Sequence, residues 1–266
     1  MIENMFRGMK HGRCCPLGDE KKTTVRAAER ALDILLCFVD QSELGMMEIA
    51  SKTGLNKSTV FRLLATLEAK GFVKRDPRTD KYELGFRIWE LSASLNRSDD
   101  PAVLLLPEME RLRDELDETV SLYVRDGLER VRIQAVESRQ AIRRVAPVGA
   151  RMPLSVGASS KVLVAYGDRE LLRAVLTDPD WPETVDKDAF RAQLEKIRED
   201  GFALSVEERE EGTAAVAVPV FSRGGKLVAA LTVSGPVLRM NEPTMISFVP
   251  AMKLTAERMG RMLRDE

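Results

Sequence analysis

Three short stretches carry residue types from which catalytic or binding sites are built. In Ser159-Ser160-Lys161 a lysine follows two hydroxyls, which invites an amine-activated serine nucleophile. That pattern needs a serine three residues before the lysine, and Ala158 stands there. Gly225-Lys226 could close a phosphate-cradling loop, but the earlier glycine such a loop requires is Val220. Glu207, Glu208, Glu210 and Glu211 form an acidic run with no partner set for acid–base work, and they are expected to solvate a loop. The chain has one histidine, His11, which removes serine–histidine triads, HExxH zinc chemistry and paired-histidine metal sites. His11, Cys14 and Cys15 do not match zinc spacing, and the adjacent cysteines do not make an ordinary intrachain staple. No catalytic residue, metal or cofactor is therefore expected.

A different chemistry is suggested between residues 57 and 81. Seven cationic side chains (Lys57, Arg62, Lys70, Lys74, Arg75, Arg78, Lys81) face three anionic ones (Glu68, Asp76, Asp80), a local excess of +4 in a chain whose net charge is −1. Such clustering suits a polyanion. Asn56 precedes the stretch as a helix N-cap, and Val60, Leu63, Leu64 and Leu67 repeat at helical spacing up to Gly71. Burying that stripe turns Lys57, Ser58, Thr59 and Arg62 outward at the helix start. Free backbone amides there suit phosphates, and short polar or arginine side chains can reach base edges.

The elements that hold this helix follow from the flanking pattern. Ala28, Ala31, Leu32, Leu35, Leu36 and Val39 predict one helix face, with Cys37 beside it. A shorter helix runs through Met46, Met47, Ile49 and Ala50 to a turn at Thr53-Gly54-Leu55-Asn56. Phe72–Arg75 and Lys81–Leu84 flank Asp76-Pro77-Arg78-Thr79-Asp80 as a hairpin. Helix, turn, helix and basic hairpin make a winged helix-turn-helix over residues 24–85, preceded by a tail, 1–23, expected to be disordered. Phe86–Leu95 predicts a linker helix, and the polar Asn96–Pro101 a boundary, giving a linker of 86–100.

Beyond residue 101 helices and hairpins mix. Helices are expected at Val103–Leu116 (kinked or restarted at Pro107), Ser159–Tyr166, Arg169–Leu176, Ala189–Glu199 and Pro243–Leu263. Strands are expected at Val120–Arg125, Arg130–Val136, Ile142–Val145, Phe202–Val206, Ala214–Phe221 and Leu227–Val233, with Ser234-Gly235-Pro236 ending the last. The fold class is α/β in the α+β sense, an antiparallel sheet with packed helices over residues 101–266. No apolar run approaches the ~18–20 residues of a transmembrane helix, so no membrane partner is expected. Met1–Glu20 has no continuous apolar core and does not look like a signal peptide, so the expected location is the cytoplasm.

At this point the sequence resembles the IclR family of bacterial transcriptional regulators. The resemblance rests on Arg30–Leu35, Glu48–Leu55 and Lys57–Leu67, then on Pro153-Leu154, Ser160-Lys161, Gly201-Phe202, Glu207-Glu208, Val218–Phe221 and Leu231–Pro236. It implies a winged helix joined by a linker helix to a GAF-like effector-binding domain, and a ligand-responsive DNA-binding regulator, usually a repressor, of a catabolic or metabolic operon. It implies a homodimer or dimer of dimers on double-stranded operator DNA. Lys57, Lys74, Arg75 and Arg78 would then touch phosphates, and Asn56, Ser58, Thr59 and Arg62 would form the base-reading helix start.

Two observations support a pocket in the second half. The irregular Pro153–Gly157 stretch leads into a helix, leaving the amides near Gly157, Ala158 and Ser159 for an anion. Thr232 and Ser234 share one strand face. The resemblance implies effector contacts from Leu154, Ala158, Ser159, Thr232 and Ser234. An acidic residue and a cysteine of the type member correspond to Ser205 and Ala215, which predicts a pocket less acidic and more apolar there. The expected effector is a small carboxylate with an apolar or aromatic body. Two other functions fit the residues less well. A GAF-like enzyme using cysteine would need thiols that residues 101–266 lack. A protein–protein adaptor would leave the basic hairpin unexplained.

Overall fold

The computed structural model describes residues 25–39, 41–95, 101–145 and 147–263. The expected N-terminal tail, with His11, Cys14 and Cys15, and the polar break 96–100 lie outside these residues.

Helix α1 (Arg26–Leu36) is followed by the short strand β1 (Leu44–Gly45), α2 (Met46–Thr53) and α3 (Lys57–Ala69). Gly54 ends α2 at φ 66°, a left-handed position that glycine adopts without a Cβ clash. Asn56 caps α3, its Oδ1 accepting the Thr59 amide at 2.9 Å. Strands β2 (Val73–Arg75) and β3 (Lys81–Leu84) form the expected hairpin, and β1 adds an unforeseen third strand in the order β1-β3-β2. Two residues are too few to show a period, so β1 was invisible in the sequence. Ile34, Phe38, Ile49, Val60, Leu64, Val73 and Tyr82 form the core.

The face of α1 differs from the expected stripe. Ile34 and Phe38 point into the core with Ala31 and Leu35 half-buried, while Ala28, Leu32, Leu36 and Val39 stay exposed. The helix carries apolar residues on more than one side, and the bulkier i, i+4 pair took the interior.

Helix α4 (Phe86–Leu95) matches its expected span. The following helix is split into α5 (Pro101–Leu104) and α6 (Leu106–Leu116), with Pro107 in the first turn of α6, where its missing N–H costs nothing. The remaining elements are β4 (Thr119–Asp126), β5 (Glu129–Val136), β6 (Arg151–Pro153), α7 (Ala158–Ala165), α8 (Arg169–Leu176), α9 (Lys187–Asp200), β7 (Ala203–Val206), β8 (Thr213–Phe221), β9 (Leu227–Pro236) and α10 (Glu242–Met262).

The six strands β4–β9 form one antiparallel sheet ordered β6-β5-β4-β9-β8-β7. Strand alternation divides its side chains. Val120, Leu122, Val216, Val218, Leu231 and Val233 pack with α6 and α10, burying Met109, Leu112, Met252 and Met259. Tyr123, Ala217 and Ala230 face the other way, toward Val162, Leu171, Phe190 and Leu194 of α7, α8 and α9. With both faces covered, α7 is buried along its whole length.

Two strand expectations are corrected. Ile142–Val145 is an irregular segment with Ile142 73% and Val145 57% exposed. The edge of β5 is paired instead by Arg151–Pro153, so residues 142–145 have no ladder to join. Ser234-Gly235-Pro236 does not stop β9, because Thr213 at the start of β8 pairs as far as Pro236.

Candidate functional site

The start of α3 is exposed and polar. Lys57, Ser58 and Arg62 are exposed, and Thr59 is half-buried against the core. Ser58 donates its hydroxyl to Asn56 Oδ1 at 3.0 Å, so the capping residue also orients its neighbour. Among the described residues, neither Lys57 nor Arg62 forms an ion pair.

The hairpin cations are arranged differently. Lys74 pairs with Glu83 at 3.3 Å, Arg75 with Asp80, Arg78 with Asp76 at 3.7 Å, and Lys81 with Glu43 at 3.6 Å. The local charge excess is therefore smaller in space than along the chain, because folding brings Glu43 and Glu83 alongside it. Exposed pairs of this kind contribute about 0–1 kcal/mol, so exchanging a carboxylate for a phosphate costs little.

A second site lies between the sheet and the start of α7. A cavity of about 60 Å³ is lined by Ala158, Ser159, Ser205, Ala215, Thr232 and Ser234, all six expected. Leu154, the seventh, is buried in the core beneath α7 and does not reach the cavity wall. The strand register explains the grouping: Ser205 pairs with Ala215, Ala215 with Ser234, and Thr232 with Ser121, all across adjacent strands.

What the sequence reading missed is cationic. Arg130, Arg132, Arg144 and Arg209 line the same cavity with Tyr123 and Glu208. Arg130 donates to the Val156 carbonyl at 2.9 Å and to the Ser160 hydroxyl. Arg132 donates from Nε and Nη2 to the Tyr123 hydroxyl at 3.0 and 2.7 Å. Both guanidiniums also stand 5.3 Å from the Tyr123 ring centre. Burial pushes the Arg130 guanidinium down to about 10, with repulsion from Arg209 and Arg132 adding to the shift. It remains charged at neutral pH. Ser205 and Ala215 line the cavity as expected, and the four arginines make the rest of its wall cationic. Arg130 and Arg132 share β5, while Arg144 and Arg209 lie in irregular segments, so no spacing rule connects all four. The signal available was their alternation in Arg130-Val131-Arg132, which puts two charges on the inner face of β5.

The acidic run also departs from expectation. Glu208 accepts the Gly157 amide at 2.9 Å and pairs with the buried Lys161 ammonium, which also donates to the Leu204 carbonyl at 3.2 Å. The chain's own carboxylate therefore occupies one of the amides assigned to a ligand. Glu210 pairs with Arg144 and, at 2.5 Å, with Arg209, and Glu207 accepts the Gly212 amide at 2.8 Å. All four glutamates are still exposed loop residues, as expected, but Glu207, Glu208 and Glu210 also hold internal partners.

Gly157 joins the two halves of this arrangement. Its φ is +95°, and a Cβ there would meet Arg130 Nη1 at 2.7 Å and Nη2 at 2.8 Å. Gly157→Ala is expected to cost about 1–3 kcal/mol of stability through strain and displacement of Arg130. Denaturant unfolding measures this, and an unchanged midpoint would contradict it.

Comparison with known proteins identifies both domains. Residues 27–77 match the IclR helix-turn-helix domain, and residues 100–261 match the bacterial transcriptional regulator IclR C-terminal domain. The chain belongs to the IclR family. This regulator is 29% identical to the transcriptional regulator KdgR of Escherichia coli K12 over 92% of its own length and 95% of the relative's. It is 31% identical to the transcriptional repressor AllR of the same strain, covering 84% of each chain. A solved IclR homolog from Microbacterium hydrocarbonoxydans, complexed with 4-hydroxybenzoate, superposes with TM-score 0.76 at 25% identity, covering 88% of this chain and 99% of the other. This member of the IclR family is a DNA-binding regulator of transcription, and the enzyme alternative is set aside. No described helix is long and apolar enough to cross a membrane.

Proposed function

We propose that this regulator represses a catabolic or metabolic operon in the cytoplasm and releases or reshapes its grip on the operator when a small organic acid enters the arginine-lined cavity. Residues 24–85 act as the DNA-binding domain, 86–100 as the linker and 101–266 as the effector-binding domain. Two α3 helices of a dimer enter successive major grooves of a roughly palindromic operator. Ser58, Thr59 and Arg62 read bases beside the Asn56 cap, while Lys57, Lys74, Arg75 and Arg78 hold phosphates. The dimer, alone or as a pair of dimers, uses exposed apolar residues that a monomer would leave in water. These are Leu32 and Leu36 on α1, Val39 just beyond it, and the stacked Phe86 and Trp89 on α4.

The observation that carries the effector reading is a set of unpartnered polar groups. Thr232 Oγ1, Ser234 Oγ and Arg130 Nε are buried with no hydrogen-bond partner among the described residues, and all three side chains line the cavity. Buried polar groups without partners are costly, and a carboxylate would satisfy all three. The double change Thr232→Val, Ser234→Ala tests this by calorimetry. Effector affinity should fall by about 1.5–3 kcal/mol, while stability of the unliganded protein stays equal or rises because two orphan hydroxyls are gone. Unchanged affinity, or a loss of stability without a change in affinity, would contradict the assignment.

A further inference from the structure

The charge balance around the cavity is unequal, and it bears on what the cavity takes. Four guanidiniums line the wall, and the described residues supply two nearby carboxylates. Glu208 is neutralised by Lys161 and held at the Gly157 amide. Glu210 is shared between Arg144 and Arg209 and does not itself line the cavity. Leaving Arg132 aside, counting Glu208 against Lys161 and Glu210 against one arginine leaves two positive charges around one small space.

Two of those guanidiniums are fixed by neutral partners. Arg130 is held by Val156 and Ser160, and Arg132 by Tyr123. The Arg144 carbonyl accepts the Thr119 hydroxyl at 2.9 Å. Clustered like charges in a buried space repel one another, and burial removes the water that would screen them. A bound anion offsets this repulsion in proportion to its charge. The cavity is small, about 60 Å³, which favours a compact ligand.

We propose that the effector is a compact dianion, resting on the reading that this cavity is the effector site. One negative group lies against Arg130, Thr232 and Ser234. The second lies toward Arg144 and Arg209, where it competes with Glu210 for the two guanidiniums. Glu210 is thus an internal counter-ion that sets the threshold for the second charge. A dicarboxylate of two or three carbons and a tetrahedral oxyanion share this chemistry, and the probes below separate them.

The full chain is titrated calorimetrically at neutral pH and fixed ionic strength with oxalate, malonate, inorganic phosphate, acetate and propionate. Oxalate or malonate is expected to bind about tenfold or more tightly than acetate or propionate. Tighter binding of phosphate than of either dicarboxylate would identify a tetrahedral oxyanion and equally support the dianion. Arg209→Gln should erase the preference for two charges while keeping monocarboxylate binding, and Glu210→Gln should strengthen dianion binding. Monocarboxylates binding as tightly as dianions would overturn the proposal and leave the cavity assignment standing. Dianions binding equally well to the Thr232→Val, Ser234→Ala protein would place them elsewhere and overturn both. Failure of every probe to bind would also overturn both.

Discussion

Arg62→Ala is expected to weaken binding to the operator by about 1–3 kcal/mol, roughly 5- to 150-fold, with a much smaller loss on scrambled DNA. Arg62 is exposed one turn into α3, beyond the Asn56 cap, and makes no ion pair among the described residues. Its guanidinium can therefore reach a base edge without first breaking an internal contact. Lys57 at the first position of α3 provides the contrast. A phosphate contact carries no sequence information, so Lys57→Ala should weaken cognate and scrambled DNA alike and lower the salt slope by about 1. Fluorescence anisotropy on both duplexes across a salt series separates the two. Equal losses for Arg62→Ala on both would contradict its base-reading role.

Removing Glu208 should have the largest effect on stability. Its partner Lys161 has only 6% of its side chain exposed, so deleting the carboxylate strands a buried ammonium with only the Leu204 carbonyl. Breaking one side of a buried pair costs about 3–5 kcal/mol, and the 29% exposure of Glu208 places the expected loss near the lower figure. Glu208→Leu is therefore expected to lose about 3 kcal/mol in urea unfolding. Adding Lys161→Met should recover most of it, since an apolar pair leaves no stranded charge. Glu211→Gln, on the exposed part of the same run, should change stability by less than about 0.5 kcal/mol. Equal effects at Glu208 and Glu211 would mean that the run acts only as a solvated loop.

The contrast between those two glutamates shows where sequence reading stops. The acidic run reads as solvated because most of its partners, Lys161, Arg144 and the Gly157 and Gly212 amides, are distant in the chain or hidden in the backbone. The α3 helix was legible because its cap, stripe and outward face are all local. Thr232 and Ser234 were legible for the same reason, being two apart on one strand. The arginine wall was not, because it is assembled by a sheet register and by the irregular segment around Arg144. Ile142–Val145 shows the reverse error. Its residues alternate well enough for a strand, but a strand exists only where an edge is free to pair. In α1 the period was correct and the face was not, because apolar residues covered more of the helix than one core could bury.

Regulation by this protein depends, on the proposed reading, on α3 recognising a two-fold operator sequence on behalf of a dimer. The most direct test of that recognition is selection of bound duplexes from a random-sequence pool by the full chain. The expected result is enrichment of two inverted half-sites whose centres lie a whole number of helical turns apart, about 10–10.5 base pairs each. Recovery of bound DNA with no enriched sequence, at any salt concentration, would contradict the claim and reduce the winged helix to a nonspecific phosphate-binding surface.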